Sequence, residues 1–110
     1  MLKLIKRPII IQDLINAANY ISAENLDAGD RLLYAAEDTF RQIAQFPGIG
    51  RLSGFIHPEA TQIRQFPIKG FRNYLILYQI NPENIEIIRV LHGAQDLESI
   101  LIEETTDNEQ

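Results

Sequence analysis

The sequence predicts an α+β domain of order β-α-α-β-β-β, in which a helical hairpin packs on one face of a twisted, mainly antiparallel four-stranded sheet. Three observations point there. Two segments with helical spacing of apolar residues come first; three strand-like segments follow over 61–66, 72–80 and 85–92; and an Asn-Pro turn joins the last two. At 110 residues the chain fits one domain, which we assign to 1–102, with 103–110 an acidic tail expected to be disordered. A domain of this length buries roughly two-thirds of the surface of its unfolded chain, enough for a core without metal or disulfide staples.

The elements follow in order. Leu2 to Lys6 alternates and reads as a short first strand, stopped by Pro8, which the first turn of a helix tolerates. Ile11, Leu14, Ile15, Ala18 and Ile21 then recur at three and four residues and predict an apolar stripe on a helix of about four turns, with Asp13 placed near its start to suit the helix dipole. Ser22 to Asn25 is its exit. Asp27 is the expected N-cap of a second helix, whose buried face is marked by Leu33, Ala36, Phe40 and Ile43. So short a break predicts an antiparallel helical hairpin.

Phe46-Pro47-Gly48-Ile49-Gly50 ends that helix by turn chemistry, and 51–60 reads as a loop. The 72–80 strand carries Tyr74, Ile76, Tyr78 and Ile80 on one face and Leu75 and Leu77 on the other, and 85–92 is also apolar on both faces. Such strands are expected to be central in the sheet or covered on both sides. Asn81-Pro82-Glu83-Asn84 predicts the hairpin turn between them. Residues 94–102 suit a short C-terminal helix.

Composition bounds the chemistry. The chain has no cysteine, so disulfides, thiolate metal sites and cysteine nucleophiles drop out. No apolar run approaches the ~20 residues that span a bilayer, and the basic start lacks the following apolar stretch of a signal peptide, so the expected setting is cytoplasmic. The net charge is −5, but Asp96, Glu98, Glu103, Glu104, Asp107 and Glu109 carry much of it; residues 1–95 hold 10 basic and 9 acidic side chains, a net of +1. That balance is too weak to predict nucleic-acid binding by field alone.

There is no phosphate-binding glycine loop, and His57 and His92 lie on different elements without metal-ligand spacing, so neither cofactor nor metal is expected. Arg64, Lys69, Arg72 and Arg89 come from successive strands or their connections. On one open face they would bind phosphate, or support RNA cleavage by a 2′-hydroxyl, with His92 as a general acid or base. The alternative is structural: Arg64 and Arg89 paired with acidic neighbours such as Glu86, and His92 capping the sheet end. Tyr74 and Tyr78 either stack a base or are core rings whose hydroxyls reach the edge.

Four segments in sequence carry a resemblance. Asp13-Leu14 with Tyr20-Ile21, then Phe46-Pro47-Gly48-Ile49-Gly50-Arg51, then Ile63-Arg64 with Phe66-Pro67-Ile68 and Tyr74 to Tyr78, and finally Ile85 to Asp96 resemble the ordered motifs of the ParE/RelE toxin superfamily over roughly 3–97. The last run resembles its closing "I-x-x-V-L-H-x-x-R-D" pattern. The resemblance leans to the ParE, plasmid-stabilisation side. It implies a growth-inhibiting toxin of a type II toxin–antitoxin module, held inactive by a cognate antitoxin and acting by binding DNA gyrase rather than as an enzyme. For this reading the target-binding candidates are Arg64, Arg72, Tyr74, Tyr78 and Arg89. RelE-like relatives instead cut messenger RNA on the ribosome, for which the candidates are Arg64, Lys69, Arg72, Arg89 and His92. A third alternative is a non-toxic relative kept as an antitoxin-binding module, and a homodimer is compatible with all three. Gln95 stands where the closing run usually has arginine, which weakens any phosphate-stabilising site there.

Overall fold

The computed structural model describes residues 2–108, with side chains for 2–103. Its elements are β1 (Lys3–Lys6), α1 (Ile9–Ser22), α2 (Leu26–Gln45), a 3₁₀ turn at Pro47–Ile49, β2 (Arg51–Leu52), β3 (Arg64–Ile68), β4 (Phe71–Ile80), β5 (Asn84–His92) and α3 (Leu97–Asn108). Of the tail expected to be disordered over 103–110, residues 103–108 form the end of α3, and Glu109 and Gln110 lie outside the described residues.

The α+β class and the helical hairpin agree with expectation, but the sheet is five-stranded and mixed rather than four-stranded and mainly antiparallel. Its order is β1-β5-β4-β3-β2, and β1 runs parallel to β5, with Lys3 opposite Asn84 and Lys6 opposite Ile87. The extra strand is β2, only two residues long, which pairs Arg51 with Gln65 and Leu52 with Arg64 inside the segment expected to be a loop. Two residues carry no hydrophobic period to detect. The direction of β1 relative to β5 is equally invisible, because it depends on a connection through the entire hairpin.

α1 is rotated from its expected phase. Ile10, Asp13, Ala17 and Ala18 are its buried residues, whereas Ile11 is 70% exposed and Ile15 43%. The inward turn of Asp13 explains this: a carboxylate on the buried face breaks the apolar stripe that periodicity looks for. In α2 the N-cap is Asn25, not Asp27; the Asn25 Oδ1 accepts from the Asp27 N–H at 3.1 Å. Its buried face is Ala28, Gly29, Leu32, Ala36, Thr39, Phe40 and Ile43, leaving Leu33 partly exposed. The hairpin crosses closely at Gly29, where a Cβ would lie 2.8 Å from the Ala18 carbonyl oxygen.

The hairpin packs on one sheet face over Ile68, Ile76, Tyr78, Ile85, Ile87 and Val90. The other face is covered by α3 and the 55–63 segment, through Ala60, Ile63 and Leu101 against Leu77, Ile88 and Leu91. β4 and β5 are thus buried on both sides, as their two-faced apolar pattern requires. Each fully buried aliphatic side chain contributes roughly 1.5–3 kcal/mol. Glu98 fastens the second cover, its Oε2 accepting from the N–H groups of Ile56 (2.9 Å) and His57 (2.7 Å). Among the described residues no helix is long and apolar enough to cross a membrane.

Candidate functional site

The site grows out of one irregularity. In the β4–β5 ladder Leu77 faces Arg89 but Tyr78 faces Ile87, so Ile88 is an extra residue on β5. Such a bulge bends the strand and re-aims the next side chain. Here Arg89 reaches α1: its Nε and Nη2 donate to the two oxygens of Asp13 at 2.8 and 2.9 Å, and the Val90 N–H donates to the same carboxylate at 2.9 Å. The pair sits at the base of a cleft of about 540 Å³ between α1 and the end of β5.

One wall is the α1 face Asp13, Asn16, Ala17 and Tyr20, which recurs at three and four residues; the other is Arg89 to His92 with Ala94 and Gln95. Tyr20 stands 75% exposed at the rim. Tyr74 and His92 are register partners whose rings meet edge to face, with centroids 5.1 Å apart. His92 is held at main chain and ring: its backbone N–H donates to Gln95 Oε1 at 3.0 Å, and its Nδ1 accepts from the Ala94 N–H at 3.0 Å. In the neutral ring the proton is thereby assigned to Nε2. A second cleft of about 440 Å³ adjoins the first, shares Tyr20, Tyr74 and His92 with it, and adds Arg72 with Gly70 and Phe71 at the start of β4. Burial pushes the Tyr74 hydroxyl above its ordinary range, and Tyr20 adds to the shift, so Tyr74 keeps its proton at neutral pH.

The structure therefore brings together four of the sequence-derived residues, Arg72, Tyr74, Arg89 and His92, and separates the others. Arg64 points to the opposite end of the sheet, where its Nη1 donates to the Gly50 carbonyl at 2.7 Å. Lys69 is exposed on the β3–β4 turn, its backbone N–H donating to Thr39 Oγ1. Tyr78 is fully buried; its hydroxyl donates to the Pro47 carbonyl at 2.6 Å and accepts from the Gly50 N–H at 2.8 Å. Burial pushes this hydroxyl up as well, opposed by the Gly50 N–H and by Arg64. Glu86 pairs with Arg7, not with Arg64 or Arg89. Sequence reasoning missed Asn16 and the role of Tyr20 as a wall residue. The signal for both was their spacing from Asp13, three residues for Asn16 and seven for Tyr20, which keeps them on one helix face.

A sheet with a helical hairpin on one face and an aromatic, amide-edged cleft where the hairpin meets the last strand defines a small α+β domain. The model of the ParE toxin of type II toxin–antitoxin systems (parDE) matches residues 5–97, and the chain belongs to that family. Among solved structures it is similar to a chain of the chromosomal ParDE toxin–antitoxin system from P. aeruginosa, at 12% identity, over 84% of this chain and 96% of that one, with a TM-score of 0.68. At that identity the likeness is one of fold. No curated protein sequence matches the chain.

Proposed function

We propose that this type II toxin inhibits growth by binding DNA gyrase and is neutralised by a cognate antitoxin. The observation that carries the binding reading is the placement of the cations. Stabilising a phosphorane needs several cations converging on one point. Here Arg64 lies at the far end of the sheet on the Gly50 carbonyl, and Arg89 is engaged by the buried Asp13 carboxylate. Gln95, a neutral residue, closes the end of β5. For the antitoxin, Ile11 and Ile15 are exposed four residues apart on α1 and offer an apolar stripe to an amphipathic helix.

The ribonuclease alternative keeps one observation in its favour: Arg72, Tyr74 and His92 line a common cleft. Two assays on purified protein separate the readings. Inhibition of gyrase supercoiling without ribosome-dependent cleavage of messenger RNA is the expected outcome; cleavage without supercoiling inhibition reverses the assignment. Controlled expression in a bacterial host, with and without the neighbouring open reading frame, tests neutralisation. Growth arrest that the neighbouring gene fails to relieve would count against a cognate antitoxin there.

A further inference from the structure

We infer that the groove formed by the two adjoining clefts is the target-docking site, and that it receives a segment of the target protein bearing a carboxylate beside an apolar side chain. The inference rests on the binding-toxin reading above. Its first support is the hydrogen-bond inventory of the rim. Asn16 Oδ1 already accepts from Gln12 Nε2 at 2.9 Å, and Gln95 Oε1 accepts from the His92 N–H. Each carboxamide keeps its whole amino group, a double donor, beside the second lone pair of its oxygen. Among the described residues the hydroxyls of Tyr20 and Tyr74 and the side chains of Arg72 and Lys69 have no hydrogen-bond or ion-pair partner. Arg72, Lys69 and the two amino groups can only donate, and the tyrosine hydroxyls donate as well as accept, so the rim is rich in donors and favours a ligand that presents acceptors.

Charge points the same way. Among the described residues Asp13 is the one acidic residue lining either cleft, and both its oxygens are engaged, by Arg89 and by the Val90 N–H. Arg72, the second residue of β4, lines the second cleft, and Lys69 lies three residues earlier on the β3–β4 turn, so this end is positive. The floor of the first cleft carries the apolar Ala17 and Val90, with Ala94 at its edge. An exposed tyrosine beside an apolar floor is the kind of anchor that dominates protein interfaces. Polynucleotide is the weaker fit, because binding by phosphate neutralisation rises with the number of cations engaged, and this groove offers two.

The test uses the full chain and three variants: Tyr20→Ala, Arg72→Glu and, as a control on a tyrosine outside both clefts, Tyr34→Ala. Each is measured for gyrase supercoiling inhibition and for growth arrest on induced expression, after circular dichroism and urea unfolding have confirmed the fold. Tyr20→Ala and Arg72→Glu are expected to raise the inhibitory concentration roughly tenfold or more and to relieve growth arrest, with Tyr34→Ala close to the parent. Wild-type-like activity in both groove variants overturns the docking site while leaving the gyrase reading intact. Growth arrest by the parent without gyrase inhibition overturns the gyrase reading, and the growth assay then still decides the groove. Loss of ribosomal messenger RNA cleavage in the groove variants would assign the groove to RNA and overturn the protein ligand. A parent chain inactive in every assay removes the target and the proposal with it.

Discussion

The carboxylate of Asp13 on α1 and the guanidinium of Arg89 on β5 form a two-pronged ion pair, with side chains only 4% and 14% exposed. It ties the first helix to the last strand across the base of the cleft. Removing one partner leaves the other charged and buried. Asp13→Ala is therefore expected to destabilise the fold by about 3–5 kcal/mol. The combination of Asp13→Leu with Arg89→Met should cost markedly less than the sum of the two single changes. Urea unfolding of all four proteins in a double-mutant cycle measures the coupling.

Tyr78 bridges the sheet to the turn after α2. Tyr78→Phe keeps the ring but strands the Gly50 N–H and the Pro47 carbonyl, so a loss of about 1–3 kcal/mol is expected. Gly50→Ala attacks the same contact from the other side, since a Cβ there would lie 2.6 Å from the Tyr78 hydroxyl and 2.9 Å from the Gln65 carbonyl oxygen. It should be at least as damaging. Thermal unfolding of both variants checks the pair.

Alkaline stability follows from the same hydroxyl. The Tyr78 and Tyr74 hydroxyls are both raised above the ordinary 10.0, chiefly by burial. Above about pH 10 the unfolded chain releases these protons while the folded chain retains them, so stability is full below that pH and falls as pH rises toward the folded values. Urea midpoints measured across this range should drop in the parent and drop less steeply in the Tyr74→Phe and Tyr78→Phe variants. Equal slopes in all three would show that the tyrosines do not govern the alkaline limb.

Gln95 sits beside His92 at the cleft rim, where the family motif has arginine. Gln95→Arg places a cation next to the donor-rich groove. For an acidic ligand, target inhibition should strengthen by roughly fivefold, about 1 kcal/mol, the scale of a rim ion pair. Titration of supercoiling inhibition at two salt concentrations measures it, and an unchanged or weakened effect at low salt argues against a carboxylate ligand.

The helical hairpin and β3 to β5 were legible because their apolar residues repeat at helical or strand spacing over many residues. The two-faced burial of β4 and β5 was legible for the same reason. The two-residue β2 was not, and with it went the true neighbour of Arg64, since β2 follows directly on the Gly50 carbonyl that Arg64 bonds. The phase of α1 was misread because its buried face contains Asp13, whose partner lies 76 residues away in the chain. The chemical types at the site, Arg72, Tyr74, Arg89 and His92, could be singled out one by one. Their grouping depended on the Ile88 bulge and on which face of α1 turns inward, and neither is a local property of the sequence.

The parallel pairing of β1 with β5 has a consequence for synthesis. The first strand is translated long before its partner, which begins at Asn84. Contacts between such distant parts form late and slowly. Both walls of the groove obey the same timetable, one from α1 and one from Arg89 to Gln95. A nascent chain therefore cannot assemble its groove until residues 89–95 have been translated, and any product truncated before β5 is born without it.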